Sequence, residues 1–177
     1  MKNRVFFGSL IALLIAGAGG WYFFSPGYAM TQLADAAREG DEGQLRQRVD
    51  FPRVREALKA DLRAKLASTF ASEETEGFGK LGAALGMAMI DPMVEGFVTP
   101  ESIGSMVRNG KLTRPGEKPD AQAKASPEEA DWAIEREGIS RFKAMPVAKN
   151  VENPPALVFE RDGIGWRLVE IDLPDDK

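Results

Sequence analysis

Apolar and polar positions alternate in four different rhythms along this chain, and each rhythm predicts a different element. The first is no rhythm at all. Val5 to Phe24 (VFFGSLIALLIAGAGGWYFF) carries no charge over its whole length. At about 1.5 Å of rise per residue, such a helix is about 30 Å long, which matches one hydrocarbon core. Lys2 and Arg4 precede the run, Trp21 and Tyr22 sit at its far end, and the next charge is Asp35. Basic residues before and an aromatic belt after predict a signal-anchor transmembrane helix over 1–24, with the N-terminus cytoplasmic and the body, 25–177, outside. A cleaved signal peptide is the rival, with Ala16-Gly17-Ala18 as a small-residue cleavage site. The apolar run continues past that site, which favours the anchor.

From residue 25 a helical period takes over. Ser25-Pro26-Gly27 is expected to end the anchor and start a new helix, with Ser as cap and Pro in the first turn. Tyr28, Leu33 and Ala36-Ala37 then share one side, and Gly40 closes the helix. Asp41 with Gln44 three residues on reads as a capping box for a short helix through Val49. Asp50 is the next N-cap, ahead of Pro52. Val54, Leu58, Leu62, Leu66 and Phe70 recur every four residues, the stripe of a long amphipathic helix.

Residues 72–77 form an acidic turn. Residues 78–98 are almost wholly apolar and rich in Gly, Ala and Met. A helix buried between a sheet and another helix is expected there, with Gly82 and Gly86 allowing close approach. The alternative is the wall of an apolar pocket lined by Met87, Met89 and Met93. Asp91-Pro92 is expected to break or kink it. Thr99 to Ser102 caps a last helix that Asn109-Gly110 ends. Residues 111–128, with three Pro and no apolar period, read as a flexible surface loop.

The last third changes to period two. Strands are expected at 131–138, 140–148, 156–163 and 165–174, joined by a tight hairpin at Arg161 to Gly165. In the last strand, Trp166, Leu168, Glu170 and Asp172 alternate with Arg167, Val169, Ile171 and Leu173. Both faces are then partly apolar, so helices are expected to cover one of them. Helices first and strands after define an α+β class: N-terminal helices packed on a curved antiparallel sheet, preceded by one transmembrane helix.

Composition removes much chemistry. The chain has no Cys and no His, so thiolate nucleophiles, Ser-His and Cys-His pairs and histidine zinc sites are absent. With Lys2 and Arg4 set aside, 21 basic side chains face 27 acidic ones, about −6 for the body. That balance argues against nucleic acid as a partner. Phosphate loops and nucleotide fingerprints are missing, so no catalytic, cofactor-binding or metal-binding residues are assigned and no cofactor is expected.

Two clusters merit weighing. Arg46, Arg48, Arg53 and Arg55 crowd the stretch LRQRVDFPRVR. They read as a solvated basic face; the alternative is a patch that meets anionic lipid headgroups or an acidic partner. Asp91 and Glu95, at i and i+4, form a carboxylate dyad if the helix holds register; the simpler role of Asp91 is a cap. Asp131, Glu135 and Glu137 are expected on a solvent face, with Asp50 as a cap beside its arginines.

The order SPGYA, REGD, VDFPRVREALKADL, SRF and GWRLVEIDLP resembles a family of bacterial membrane-anchored proteins catalogued as a domain of unknown function. Gly27 stands where that pattern has an aromatic. The resemblance implies no activity. More distantly, the plan is similar to the cystatin-like or nuclear-transport-factor-like cone, which hosts both enzymes and binding modules. The expected function is a non-enzymatic, single-pass module of the bacterial inner membrane with a periplasmic body, binding an apolar or lipid-like ligand or a protein partner. The alternatives are a structural accessory subunit of an envelope complex, dimerising through the open sheet face, and a carboxylate-dependent enzyme inside the cone.

Overall fold

A computed structural model describes residues 2–72, 78–109, 132–147 and 154–173. The expected loop at 111–128, most of the acidic turn and Asp131 lie outside the described residues. Among the described residues, five helices precede a four-stranded antiparallel sheet. The fold is therefore α+β, as the change of period implies.

Helix α1 spans Lys2–Glu39 without interruption. The expected break at Ser25-Pro26-Gly27 is not there: Pro26 lies inside the helix. Proline removes one amide donor and crowds the carbonyl four residues back, here that of Tyr22. Tertiary partners satisfy that oxygen instead. Arg136 Nη2 donates to Tyr22 O and, at 3.0 Å, to Phe23 O, and Ser25 Oγ donates to Tyr22 O at 3.4 Å. The anchor run falls partly outside the residues whose side chains are described, which begin at Ile11. Among the described residues no helix is long and apolar enough to cross a membrane.

Gly40, at φ 66°, ends α1. Its amide donates to Ala37 O and that of Asp41 to Ala36 O, the paired bonds of a Schellman stop. Asp41 caps α2 (Glu42–Arg48) by accepting from Gln44 N at 2.9 Å. Gln44 does not reciprocate: its carbonyl accepts from Arg48, and the Asp41 amide is already used. Asp50 caps α3 (Phe51–Ser72) by accepting from Arg53 N at 3.2 Å. Between the two helices the chain touches the sheet, where Val49 bridges Leu168 and the Asp50 amide donates to Leu168 O. Thr99 Oγ1 accepts from Ser102 N and caps α5 (Pro100–Asn109).

Helix α4 (Phe78–Phe97) differs from expectation in two ways. It continues through Pro92 to Phe97. It also packs on α3 rather than between a sheet and a helix. Ile90 and Val94 reach the core, while Leu85, Met89 and Met93 face outward, 44–66 % exposed. A Cβ on Gly86 would meet Leu66 Cδ2 at 2.9 Å, so this glycine sets the α3–α4 approach; Gly82 faces open space.

The sheet is a meander in the order β1 (Trp132–Glu137), β2 (Arg141–Pro146), β3 (Ala156–Asp162), β4 (Gly165–Asp172). A register shift between Val158 and Phe159 resolves the two-faced pattern of β4. Phe159 pairs with Leu168 and Val158 with Glu170, so Val169 is the extra residue of a β-bulge. Before it, Trp166 and Leu168 point into the core. After it, the phase flips, and Ile171 and Leu173 join them. The helices cover this one face. Its centre is filled by Phe142, stacked on Phe159 at 4.6 Å and meeting Trp166 edge-on at 4.8 Å.

Candidate functional site

The four clustered arginines form no common binding face. Arg46 pairs with Glu42 of its own helix. Arg48 donates to Gln32 and Gln44. Arg53 reaches across to Glu160 at 2.7 Å. Arg55 donates to Val98 O at 2.9 and 3.2 Å, satisfying a carbonyl just beyond the end of α4. Arg55, Lys59 and Arg63, spaced by four on α3, meet α4 as an antiparallel ladder: Arg55 and Lys59 with Glu95, Arg63 with Asp91. A face expected to be solvated is an interhelical seam, and Lys59 is buried in it.

The same seam absorbs the carboxylate dyad. Asp91 is a mid-helix ion-pair partner, not a cap. Glu95 is held below the usual carboxylate range, first by the hydrogen bond from Lys59 and then by the nearby Arg55 charge, against the cost of desolvation. Both acids lie on the outside of the domain, half exposed.

The sheet face turned away from the helices carries a second network. Arg141 meets Glu137, Glu160 and Glu170, and Lys143 meets Glu137 and Asp172. Val158, in register with Lys143 and Glu170 on this face, is fully buried. This open face is charged, not apolar. Glu160 is held below its ordinary value by the hydrogen bond from Arg53, with Arg53 and Arg141 charges adding to it. A lowered folded-state value means stability that is complete above the unfolded value of 4.5 and is lost as pH falls through the folded one. Urea midpoints of the full chain in detergent should therefore drop below about pH 4.5, and Glu160→Gln should start lower at pH 7 and converge with the parent in acid. Parallel curves would count against the pairing.

A third cluster lies at one end of the sheet, where both tight turns meet the middle of α1. Trp21 Nε1 donates to Ile164 O at 3.2 Å, and Tyr22 Oη donates to Gly138 O at 3.3 Å. Trp166 Nε1 donates to the buried Ser25 Oγ at 3.0 Å. Arg136 lies over the Tyr22 ring and Arg161 over the Trp166 ring, each at 4.4 Å. Arg161 Nε donates to Ile139 O. A concavity of about 380 Å³ opens here, lined by Trp21, Tyr22, Ile139, Ser140 and Arg161. Sequence reasoning placed Trp21 and Tyr22 at the end of the anchor but missed the others. The usable signal was Gly138-Ile139 and Gly163-Ile164, each a turn glycine followed by a large apolar residue where turns are normally polar.

Among the described residues no group of His, Cys, Asp and Glu is placed to hold a metal ion. What these observations define is a class: a helical layer on one face of an antiparallel meander, its interior filled and its polar side chains largely committed to one another. The matching family is described as "Protein of unknown function (DUF2939)", and its match covers residues 15–106, more than half of the chain. The chain belongs to that family. No curated protein and no solved structure matches it.

Proposed function

We propose that the chain is a single-pass, membrane-anchored recognition module with no catalytic activity, its N-terminus cytoplasmic and its body periplasmic. The observation that carries this reading is the bare apolar half of α1. Ile11, Leu13, Leu14 and Ile15 are 55–71 % exposed, on a helix that runs on without a break into the body. Together with the uncharged run 5–24, a surface of that kind fits a hydrocarbon surrounding. The body is read as a cystatin-like cone whose interior is filled by Phe142, Phe159 and Trp166. A small apolar ligand inside that cone is therefore the weaker alternative, and the charged outer sheet face is a poor dimer seam. The better recognition surface is the stripe of Leu85, Met89 and Met93 on α4, which suits a protein partner in a cell-envelope assembly.

The anchor is tested by carbonate extraction and by reporters fused behind Lys177. Retention in the membrane pellet, an active phosphatase fusion and a dark fluorescent-protein fusion are expected. A soluble body beginning at Gly19 would overturn the anchor. For the partner, Met89→Glu should abolish co-purification of an envelope protein in mild detergent while shifting stability by no more than about 0.5 kcal/mol. Unchanged co-purification would remove α4 from the reading.

A further inference from the structure

The turn-bearing end of the sheet is built as though it meets a surface. Ile139 and Ile164, at the tips of the β1–β2 and β3–β4 turns, are 74 % and 82 % exposed. Phe23 and Phe24, which follow Trp21 and Tyr22 in α1, are 71 % and 78 % exposed. Turn tips normally shed large apolar side chains, because nothing there excludes water from them. Here both tips carry one, and both turns accept hydrogen bonds from Trp21 and Tyr22, near the end of the apolar run. The turns are thus fixed at the level of the aromatic belt.

Charge at this end differs from that of the rest of the sheet, though Arg48 and Arg108 in the helical layer also bond to neutral oxygens. Basic side chains elsewhere on the sheet and along the α3–α4 seam meet carboxylates. Arg136 and Arg161 meet none among the described residues. Arg136 is committed to the Tyr22 and Phe23 carbonyls, and its Nη1 is buried with no acceptor. Arg161 uses Nε on Ile139 O and lines the concavity beside Ser140. Two positive charges without an ion-pair partner among the described residues, framed by Trp, Tyr and exposed Ile, match a phospholipid headgroup layer, phosphates outward and acyl carbons beneath, although Arg161 also borders a second concavity with Asp50, Glu160 and Asp162.

We propose that this end of the body is seated on the bilayer, with Ile139 and Ile164 entering the interfacial zone and Arg161, with Ser140, contacting the phosphodiester of a phospholipid in the Trp21–Tyr22 concavity. Arg136 is a positioning residue: it holds the β1–β2 turn against α1. The inference rests on the anchor reading above and goes beyond it, since a tethered body need not touch the membrane at all.

The chain has no Cys, so a single introduced one is a unique label site. Full-length Ile139→Cys, Ile164→Cys and Glu39→Cys chains, each carrying an environment-sensitive dye, are reconstituted into phosphatidylcholine–phosphatidylglycerol vesicles with spin-labelled lipid as quencher. Glu39 is the distal control, about 25 Å further along α1 than Tyr22. Blue-shifted emission and several-fold stronger quenching are expected at 139 and 164 than at 39. The vesicles contain no other protein, so such quenching reports lipid. Equal, water-like emission at all three sites in a chain that resists carbonate extraction would overturn the seat and leave the anchor standing; release of the chain by carbonate would overturn both. For the phosphate contact, Arg161→Glu should reduce quenching at 164 and Arg161→Lys should preserve it. An equal loss in both variants would reduce Arg161 to a packing role over Trp166.

Discussion

Phe142→Ala is expected to be among the most damaging single substitutions in this chain, costing about 3–5 kcal/mol. The ring is fully buried near the start of β2, parallel to Phe159 at an interplanar angle of 5° and edge-on to Trp166. Truncation removes the transfer free energy of a large ring and both aromatic contacts, and the cavity lies between layers that have little room to collapse. A domain of this size has roughly 5–15 kcal/mol in total, so the loss takes a large fraction of it. The melting temperature should fall by roughly 10 °C, since about 1 kcal/mol corresponds to 2–4 °C at this chain length. Thermal and urea unfolding of the full chain in detergent measure it, with Phe142→Leu as the milder comparison. A cost below about 1 kcal/mol would mean that the ring is not the centre of the core.

Leu33→Ala should cost about 2–5 kcal/mol, and its signature differs. Leu33 is fully buried on the part of α1 that packs against α2, α5 and β4. Its loss loosens the helix from the body, not the sheet from itself. Hydrogen exchange should rise over residues 28–39 and over α5, with β2 and β3 less affected than in Phe142→Ala. Uniform acceleration across both layers would show that the helical layer and the sheet unfold as one unit, and would remove the distinction.

What was legible in the sequence followed local physics. Gly40, Asp41 and Asp50 act within three or four residues of themselves, and their roles as stop and caps are visible in the chain. The period of four from Val54 and the period of two after residue 131 gave the right layers. The misread positions each depend on something distant in sequence. Pro26 looked like a boundary because its missing hydrogen bond had no visible substitute; the substitute is Arg136, 114 residues away from Tyr22. The two-faced pattern of β4 came from counting without the bulge at Val169, which appears only when β3 is set beside it. The basic and acidic clusters looked like separate surfaces because α3 and α4 were read one at a time. Laid antiparallel, Arg55, Lys59 and Arg63 meet Glu95 and Asp91 in order. The site at the sheet end was the least legible part, since it joins residues near 22, 139 and 164 that share no motif.

The unbroken course of α1 through Pro26 has a geometric consequence. A continuous helix transmits phase: adding or deleting one residue between the exposed stretch 11–17 and Ser25 would turn everything downstream by about 100° and shift it by about 1.5 Å. The azimuth at which the body stands relative to its leading half is therefore written in the residue count of that stretch. A one-residue insertion after Gly19 would leave every side chain in place, yet swing α4 to a different bearing.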